Sequence, residues 1–324
     1  MNWIKNISKK IKPKISNLFK KKSLAPDDFW ASCPSCSSVI DRNDIKNNFY
    51  CCTKCNEPQQ IFPRQRFEML FDNGEYTELK SPKVSSDPLQ WSDTKKYSDK
   101  VKAARKKFDQ DNAAVVAAGS INSLPVVSYC LNQKFLGGSV GLEEGAAFVF
   151  ACEEAVRTRS SLIAFPSTGG QKMQHSIFGL MMMPQSIIAL QELEKEKLPV
   201  IIMAVSPVSG GVTASWVYGP SVFLFAESES TKIMFAGPRV IEKTISEQLP
   251  PDFQTAGLLL KKGFVDRIIP RKKHREEFSN LISILLHKQI NKEDSLSDAQ
   301  QQDTIHTKST LSAYSTRSNR TYIR

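Results

Sequence analysis

Four cysteines constrain this chain more than any other feature. Cys33-Pro-Ser-Cys36 is followed, fifteen residues on, by Cys52-Thr-Lys-Cys55, giving C-x2-C-x15-C-x2-C. Two such knuckles place four thiolates at the corners of a tetrahedron, about 2.3 Å from one Zn2+. Thiolate donors make zinc the preferred metal. Four protein ligands leave no open position, so the expected ion is structural. A ribbon spanning 29–57 is too small to fold on its own core, and the metal supplies the missing free energy. Cys51 is a rival to Cys52, but the spacing to Cys55 favours Cys52. Cys130 and Cys152 sit in apolar contexts and read as core residues.

The rest of the chain has a different texture. It has 324 residues, 40% of them hydrophobic, enough for one large domain beside the ribbon. The formal charge of +11 is uneven. Residues 1–22 hold eight lysines and no acid, and contribute +8. Residues 23–288 contribute only +2, which weakens a nucleic-acid reading based on charge alone. Trp3, Ile4, Ile7, Ile11, Ile15, Leu18 and Phe19 fall between those lysines as in a basic amphipathic helix, interrupted at Pro13. Such an arm suits anionic lipid or nucleic acid, and equally a frayed, soluble terminus. No run of 18 apolar residues predicts a transmembrane helix, and no apolar segment follows the N-terminal charge as in a secretory signal. Paired C-x2-C motifs then point to a reducing compartment.

Residues 58–112 read as connecting helices and loops, with a helix at Val101–Phe108. From Ala113 the pattern is α/β. Ala113–Ala117 and Pro125–Leu131 read as strands joined by a turn at Asn122-Ser123. Ser161–Phe165, Pro199–Val205, Val222–Ala226 and Lys232–Phe235 are further strand candidates. Met173–Lys197 reads as a long helix kinked at Pro184, with Ile177, Leu180, Met181, Ile187, Ile188 and Leu190 on its apolar side. Phe278–Leu286 reads as a last helix. Residues 289–324 are rich in Ser, Thr, Gln and Asn and read as a disordered tail.

Three Gly-Gly pairs carry the chemistry. They are Gly137-Gly138, Gly169-Gly170 and Gly210-Gly211. The last two follow buried strands and precede helical sequence. That arrangement leaves first-turn N–H groups unpaired and lets a ligand approach the backbone closely. A thioester carbonyl placed there would have its enolate oxygen stabilised by N–H groups and a helix dipole. The stretch lacks G-x-x-x-x-G-K-[ST] and G-x-G-x-x-G motifs, against P-loop and Rossmann readings. His175 reads as a polar residue on a helix face. Glu143-Glu144 suits an acid–base pair in a hydratase, but adjacent helical residues do not face one point, and a solvated face is expected.

Several stretches, in order, resemble the β subunit of the carboxyltransferase component of bacterial and plastid acetyl-CoA carboxylase. They are the ribbon, Phe-Leu-Gly-Gly-Ser-Val-Gly at 135–141, Ser-Thr-Gly-Gly-Gln-Lys-Met-Gln at 167–174, and Ser-Gly-Gly-Val-Thr-Ala-Ser at 209–215. Phe-Ala-Gly-Pro-Arg-Val-Ile-Glu at 235–242 and Leu-Pro-Pro-Asp-Phe-Gln at 249–254 complete the set. The resemblance runs from the Met-Asn-Trp-Ile start to about residue 288. It implies a crotonase-like (ClpP/crotonase) ββα-spiral domain over 113–288, behind the basic arm (1–28) and a zinc ribbon held by Cys33, Cys36, Cys52 and Cys55.

It also implies an enzyme subunit moving a carboxyl group from carboxybiotin to acetyl-CoA, giving malonyl-CoA for fatty acid biosynthesis. The implied partners are an α subunit in an α2β2 assembly, a biotin carboxyl carrier protein, and a biotin carboxylase that spends ATP. The implied place is the bacterial cytoplasm, with plastid stroma as the alternative. By the same resemblance Gly169 and Gly170 are the backbone oxyanion donors. Gly137, Gly138, Gly210, Gly211 and Lys172 shape the CoA and biotin pocket. The sequence departs from the family pattern in places. Gln171-Lys172 and His175 stand where the family usually has Ala-Arg and Glu, Ala147 replaces an arginine, and Ser206 replaces an aspartate. A diverged but working subunit is the reading. The alternatives are a zinc-ribbon nucleic-acid-binding protein, a catalytically impaired crotonase-like subunit, or a hydratase using Glu143 or Glu144.

Overall fold

The computed structural model describes residues 29–287, in two compact units that divide after Gln59. The expectations for the basic arm and the C-terminal tail lie outside the described residues. In the first unit, β1 (Trp30–Ser32) pairs antiparallel with β2 (Val39–Asp41). α1 (Arg42–Asn47) follows, capped by the Asp41 carboxylate, which accepts from Asn43 N–H.

The second unit opens with α2 (Pro63–Leu70), β3 (Tyr76–Leu79) and α3 (Tyr97–Phe108). The β4 (Ala114–Ile121) and β5 (Leu124–Leu131) hairpin comes next. Its turn residues Asn122 and Ser123 both adopt positive φ, 48° and 64°, as a two-residue hairpin demands. Then follow α4 (Leu142–Arg157), β6 (Ser161–Phe165), α5 (Ile177–Lys195), β7 (Val200–Ala204) and the short β8 (Val208–Ser209). The chain ends with β9 (Val222–Ala226), β10 (Ile233–Met234), α6 (Pro238–Ile245), α7 (Ala256–Lys261), β11 (Arg267–Ile268) and α8 (His274–Leu286).

The main sheet runs β11-β9-β7-β6-β5-β4-β3. Strands from β5 to β11 are parallel, and β3 and β4 are antiparallel at the other edge. Strands β6 and β7 read Ser-Leu-Ile-Ala-Phe and Val-Ile-Ile-Met-Ala and are buried throughout, as expected for parallel strands covered on both faces. Val200 and Ile202 face α4 and α5, while Ile201 and Met203 face Phe67 of α2 and Phe278 of α8. The expected connecting segment thus gives the sheet an edge strand and the core a helix. β8 and β10 pair in parallel as a small second sheet.

One expectation failed at α5. The structure places a 3-10 turn at Met173–His175, then Ser176 at φ 47°, and only then the helix, which continues through Pro184. Its buried side is Gly179, Met182, Met183, Ser186, Ala189, Leu190 and Leu193, while Ile177, Leu180, Met181 and Ile188 are exposed. The reason is that glycines set the crossing. A Cβ on Gly145 of α4 would lie 2.6 Å from the Met182 Cβ, so α5 seats Met182 against a glycine and turns that side, with Gly179, Ser186 and Ala189, to the core. Hydropathy alone does not register that preference.

A buried ion cluster ties the sheet to α2 and α8. Glu227 accepts from Arg66 and from Arg271, with Arg271 Nη2 at 2.8 Å, and all three side chains are almost wholly buried. Burial opposes ionisation of Glu227, but the two guanidinium groups outweigh it and hold its pKa below the carboxylate range. His274 donates from Nε2 to Ile269 O at 3.1 Å, and burial, with the nearby arginines, pushes its pKa down to about 3. Both groups bind fewer protons folded than unfolded, so both stabilise fully above their unfolded pKa values. Their contributions are lost as pH falls, His274's from about 6.5 downward. We predict that denaturant titrations show falling stability below that pH, and that His274→Gln flattens the slope. Glu227→Gln should cost roughly 3–5 kcal/mol at pH 7 by leaving buried arginine charge uncompensated.

Candidate active site

The first unit brings the four expected cysteines together. The Sγ atoms of Cys33, Cys36, Cys52 and Cys55 all lie within 4.8 Å of one another. Cys33 and Cys55 are 3.6 Å apart and Cys36 and Cys52 are 3.7 Å apart. A tetrahedral zinc with sulfur at about 2.3 Å requires edges of about 3.8 Å, so the donor set fits the ion. Each knuckle closes the same way. Ser37 N–H donates to Cys33 O and Asn56 N–H to Cys52 O, with positive φ at both Ser37 and Asn56. Lys54 and Cys55 N–H both point at Cys52 Sγ, 3.4 Å away. Cys51 stands outside the cluster, with its thiol toward Phe49 O.

In the second unit, turns beyond β5, β6 and β8 bring the three Gly-Gly pairs to one place. Gly169 N–H donates to Gly137 O at 3.0 Å. A Cβ on Gly138 would stand 2.2 Å from Ser167 O, and one on Gly210 would stand 3.6 Å from the Gly170 Cα. Gly170 holds φ 112° and Gly210 φ 69°, conformations that L side chains rarely adopt. Two kinds of glycine result. Gly138 and Gly211 are pressed against Ser167 O and the Gln171 side chain, whereas around Gly137, Gly169, Gly170 and Gly210 a Cβ would meet nothing closer than 3.5 Å. The second kind can receive a ligand against bare backbone.

Three expectations about side chains and donors need correction. The N–H groups of Gly169 and Gly170 are not unpaired: Gly170 N–H donates to Thr168 Oγ1 at 3.0 Å, within the turn, and Gly169 N–H is held by Gly137. Lys172 points inward, not to open solvent. It is 3% exposed and its Nζ lies 2.6 Å from Glu144 Oε2. Glu143 and Glu144 are not a solvated face. Glu144 is wholly buried and accepts from Ala113 N–H, Gly141 N–H and Lys172, while Glu143 pairs with Arg105 at 2.8 Å. Period-based reasoning missed this because the α4 N-terminus is covered by α3 and the 172–175 turn, not by solvent.

His175 is likewise buried, not on a helix face. Its Nδ1 accepts from Leu142 N–H at 3.0 Å, so Nε2 carries the proton and donates to Ser86 O at 3.1 Å. Burial and the Lys172 charge lower its pKa. Burial opposes charge on Glu144 and Lys172 alike, but each favours the other's ion: the Glu144 pKa is lowered and the Lys172 pKa raised. Cys130 and Cys152 are core residues, as expected. Burial raises both thiols, Cys130 to about 12.

Comparison with known proteins follows from this geometry. A carboxyl transferase domain family matches residues 60–322, and an acetyl-CoA carboxylase zinc finger domain family matches residues 30–55. The acetyl-coenzyme A carboxylase carboxyl transferase subunit beta of Dinoroseobacter shibae is 41% identical over 88% of both chains. The Pelagibacter ubique protein of the same name is 38% identical over 89% of this chain and 93% of its own. This chain belongs to the acetyl-CoA carboxylase carboxyl transferase subunit beta family. Solved structures agree on the fold. Transcarboxylase 12S superposes with a TM-score of 0.55 at 18% identity, over 69% of this chain and 41% of its own. A Pseudomonas malonate decarboxylase hetero-tetramer in complex with malonate gives 0.53 at 21%, over 69% and 82%. The ribbon is therefore a structural zinc module of a carboxyl transferase subunit. No described helix is long and apolar enough to cross a membrane.

Two outcomes test these assignments. Cys52→Ser should lose zinc, measured by metal analysis, and unfold residues 29–59 while the second unit keeps its own melting transition. Lys172→Met should cost roughly 3–5 kcal/mol, because it leaves Glu144 buried and without its counter-charge. Adding Glu144→Gln should recover most of that loss in a double-mutant cycle.

Proposed function

We propose that this chain is the acyl-CoA side of an acetyl-CoA carboxyl transferase, forming malonyl-CoA from acetyl-CoA and carboxybiotin. The observation that carries the reading is the convergence of three Gly-Gly turns into a cradle that is bare backbone at Gly137, Gly169, Gly170 and Gly210. A thioester needs that geometry, because stabilising its enolate takes N–H donors aimed at the oxygen and no bulk beside it. Gly170 N–H is the donor best placed to change partners. Its present acceptor is the Thr168 hydroxyl, which can rotate away when a substrate oxygen arrives. Gly169 N–H, tied to the Gly137 carbonyl, is the positioning bond between two turns, and sharing it with the substrate is the lesser route.

No side chain of the cradle is a general base. Glu144 and Lys172 neutralise each other, and His175 is held as a neutral ring by two backbone groups. Carboxybiotin supplies both the carboxyl group and, once CO2 departs, the ureido nitrogen that takes the acetyl proton. The protein's share is to orient the thioester and to exclude water.

A partner subunit is also part of this reading. Met173, Ile177, Phe178, Leu180 and Met181 follow the Gly169-Gly170 turn directly and are all exposed, Met173 at 77%. Apolar groups in such a run mark a surface that another chain covers. We assign it to the homologous α subunit, in an α2β2 complex to which a biotin carboxyl carrier protein delivers carboxybiotin charged by biotin carboxylase.

The test is co-expression with the α subunit of the same source, then malonyl-CoA decarboxylation with free biotin. The pair should turn over and the isolated chain should not. Gly170→Ala should lower kcat by about a hundredfold with the complex still assembled. A stable complex without turnover would overturn the proposal.

A further inference from the structure

Gln171 sits between the two halves of the cradle, and the catalytic reading gives it no role. Its backbone is locked, since Val140 N–H donates to Gly170 O and Lys172 N–H to Val140 O on either side of it. Its side chain lies across Gly211: a Cβ on that glycine would stand 2.7 Å from the Gln171 Cδ and Nε2 and 2.8 Å from Oε1. The carboxamide therefore rests flat on the turn, in space that only a glycine can leave open. Yet Gln171 Nε2, buried from solvent, has no hydrogen-bond partner among the described residues. Thr213, two residues beyond Gly211, keeps a buried hydroxyl in the same condition. A buried amide left without an acceptor destabilises the free protein, and each such group in a native structure calls for a reason, a catalytic or binding role among them.

We propose that Gln171 is a specificity-determining residue of this cradle. Its Nε2–H donates to an acceptor oxygen of the bound acyl group, and its bulk over Gly211 limits the acyl chain to a short one. The inference rests on the carboxyl transferase reading and deepens it. The acceptor is a thioester or carboxylate oxygen, the only acceptors an acyl or malonyl group carries near its reacting carbon. The family pattern has alanine at this position, so neither function can be met there by the same atom.

Two variants in the assembled αβ complex separate the two functions. Gln171→Met keeps the volume and removes the donor. Gln171→Ala removes both. Decarboxylation of malonyl-CoA and methylmalonyl-CoA with free biotin is the readout. Gln171→Met should lower kcat/KM about tenfold for both substrates, with their ratio unchanged. Gln171→Ala should in addition shift the ratio about tenfold toward methylmalonyl-CoA, the effect of one methyl group in a packed pocket. The free chain supplies an independent signature. Gln171→Met should raise its Tm by about 2–4 °C, because an unsatisfied buried amide is gone, whereas a structural glutamine would lower it. Wild-type kcat/KM in Gln171→Met overturns the donor role, and an unchanged ratio in Gln171→Ala overturns the size limit. A wild-type complex that assembles without turnover overturns the carboxyl transferase reading, and this inference with it.

Discussion

Everything at the candidate site depends on how closely three backbone turns approach one another. Ser167 O and the Gly138 Cα are so near that a methyl group on the glycine would lie 2.2 Å from the oxygen, well inside contact distance. The parallel order β5, β6, β7 brings this about. Parallel neighbours point the same way, so the turns beyond their ends emerge at one edge of the sheet, and a site there is assembled from segments far apart in sequence. Side chains would hold those turns apart. Glycine lets Gly169 N–H reach Gly137 O and brings Gly210 against Gly170. The chemistry then falls to backbone amides and to whichever side chain lies over them.

A second constraint keeps the turns in place from behind. Glu144 gathers three donors at the N-terminus of α4: the N–H groups of Ala113 and Gly141, and the Lys172 ammonium. One carboxylate thus joins the start of β4, the entry to α4 and the residue that follows the Gly169–Gln171 turn. His175 adds a neutral strut between Leu142 N–H and Ser86 O. Two of these positions, Lys172 and His175, are among those where the sequence departs from the family pattern. Lys172 keeps a cation there and pairs it with Glu144, and His175 is neutral and bonded at both ring nitrogens. A buried charge left alone here would cost several kcal/mol. The network leaves none.

The zinc ribbon was legible because its chemistry is local. Two C-x2-C knuckles define the donor set whatever the rest of the chain does, and the spacing alone chose Cys52 over Cys51. The strands of the sheet were legible for a related reason, since Ser161–Phe165 and Val200–Ala204 are buried on both faces and read as unbroken apolar runs. The glycine pairs could be counted in sequence, but their convergence needs β5, β6 and β7 to be neighbours, which only the topology supplies. What did not show was any polar residue whose role depends on contact across elements. Glu143-Glu144 looks solvated along its helix and is covered by α3. Lys172 looks like a ligand for substrate and is spent on Glu144. The apolar side of α5 was misplaced because Gly145 and Gly179 set its packing without contributing to any hydrophobic pattern.

That misplacement has a functional meaning. A helix that turns Ile177, Phe178, Leu180 and Met181 outward gives up burial of large side chains, each of which stabilises by about 1.5–3 kcal/mol when fully covered. A chain that folds this way has an apolar surface next to its glycine cradle, where a second chain can use it. In the proposed complex the same groups would be removed from water by the partner. The cradle and the exposed run are consecutive in sequence, Gly169-Gly170 and then Met173 onward, so covering one positions the partner at the other. On the proposed reading, assembly and completion of the site would be a single event, and the isolated chain would hold only half of the machinery.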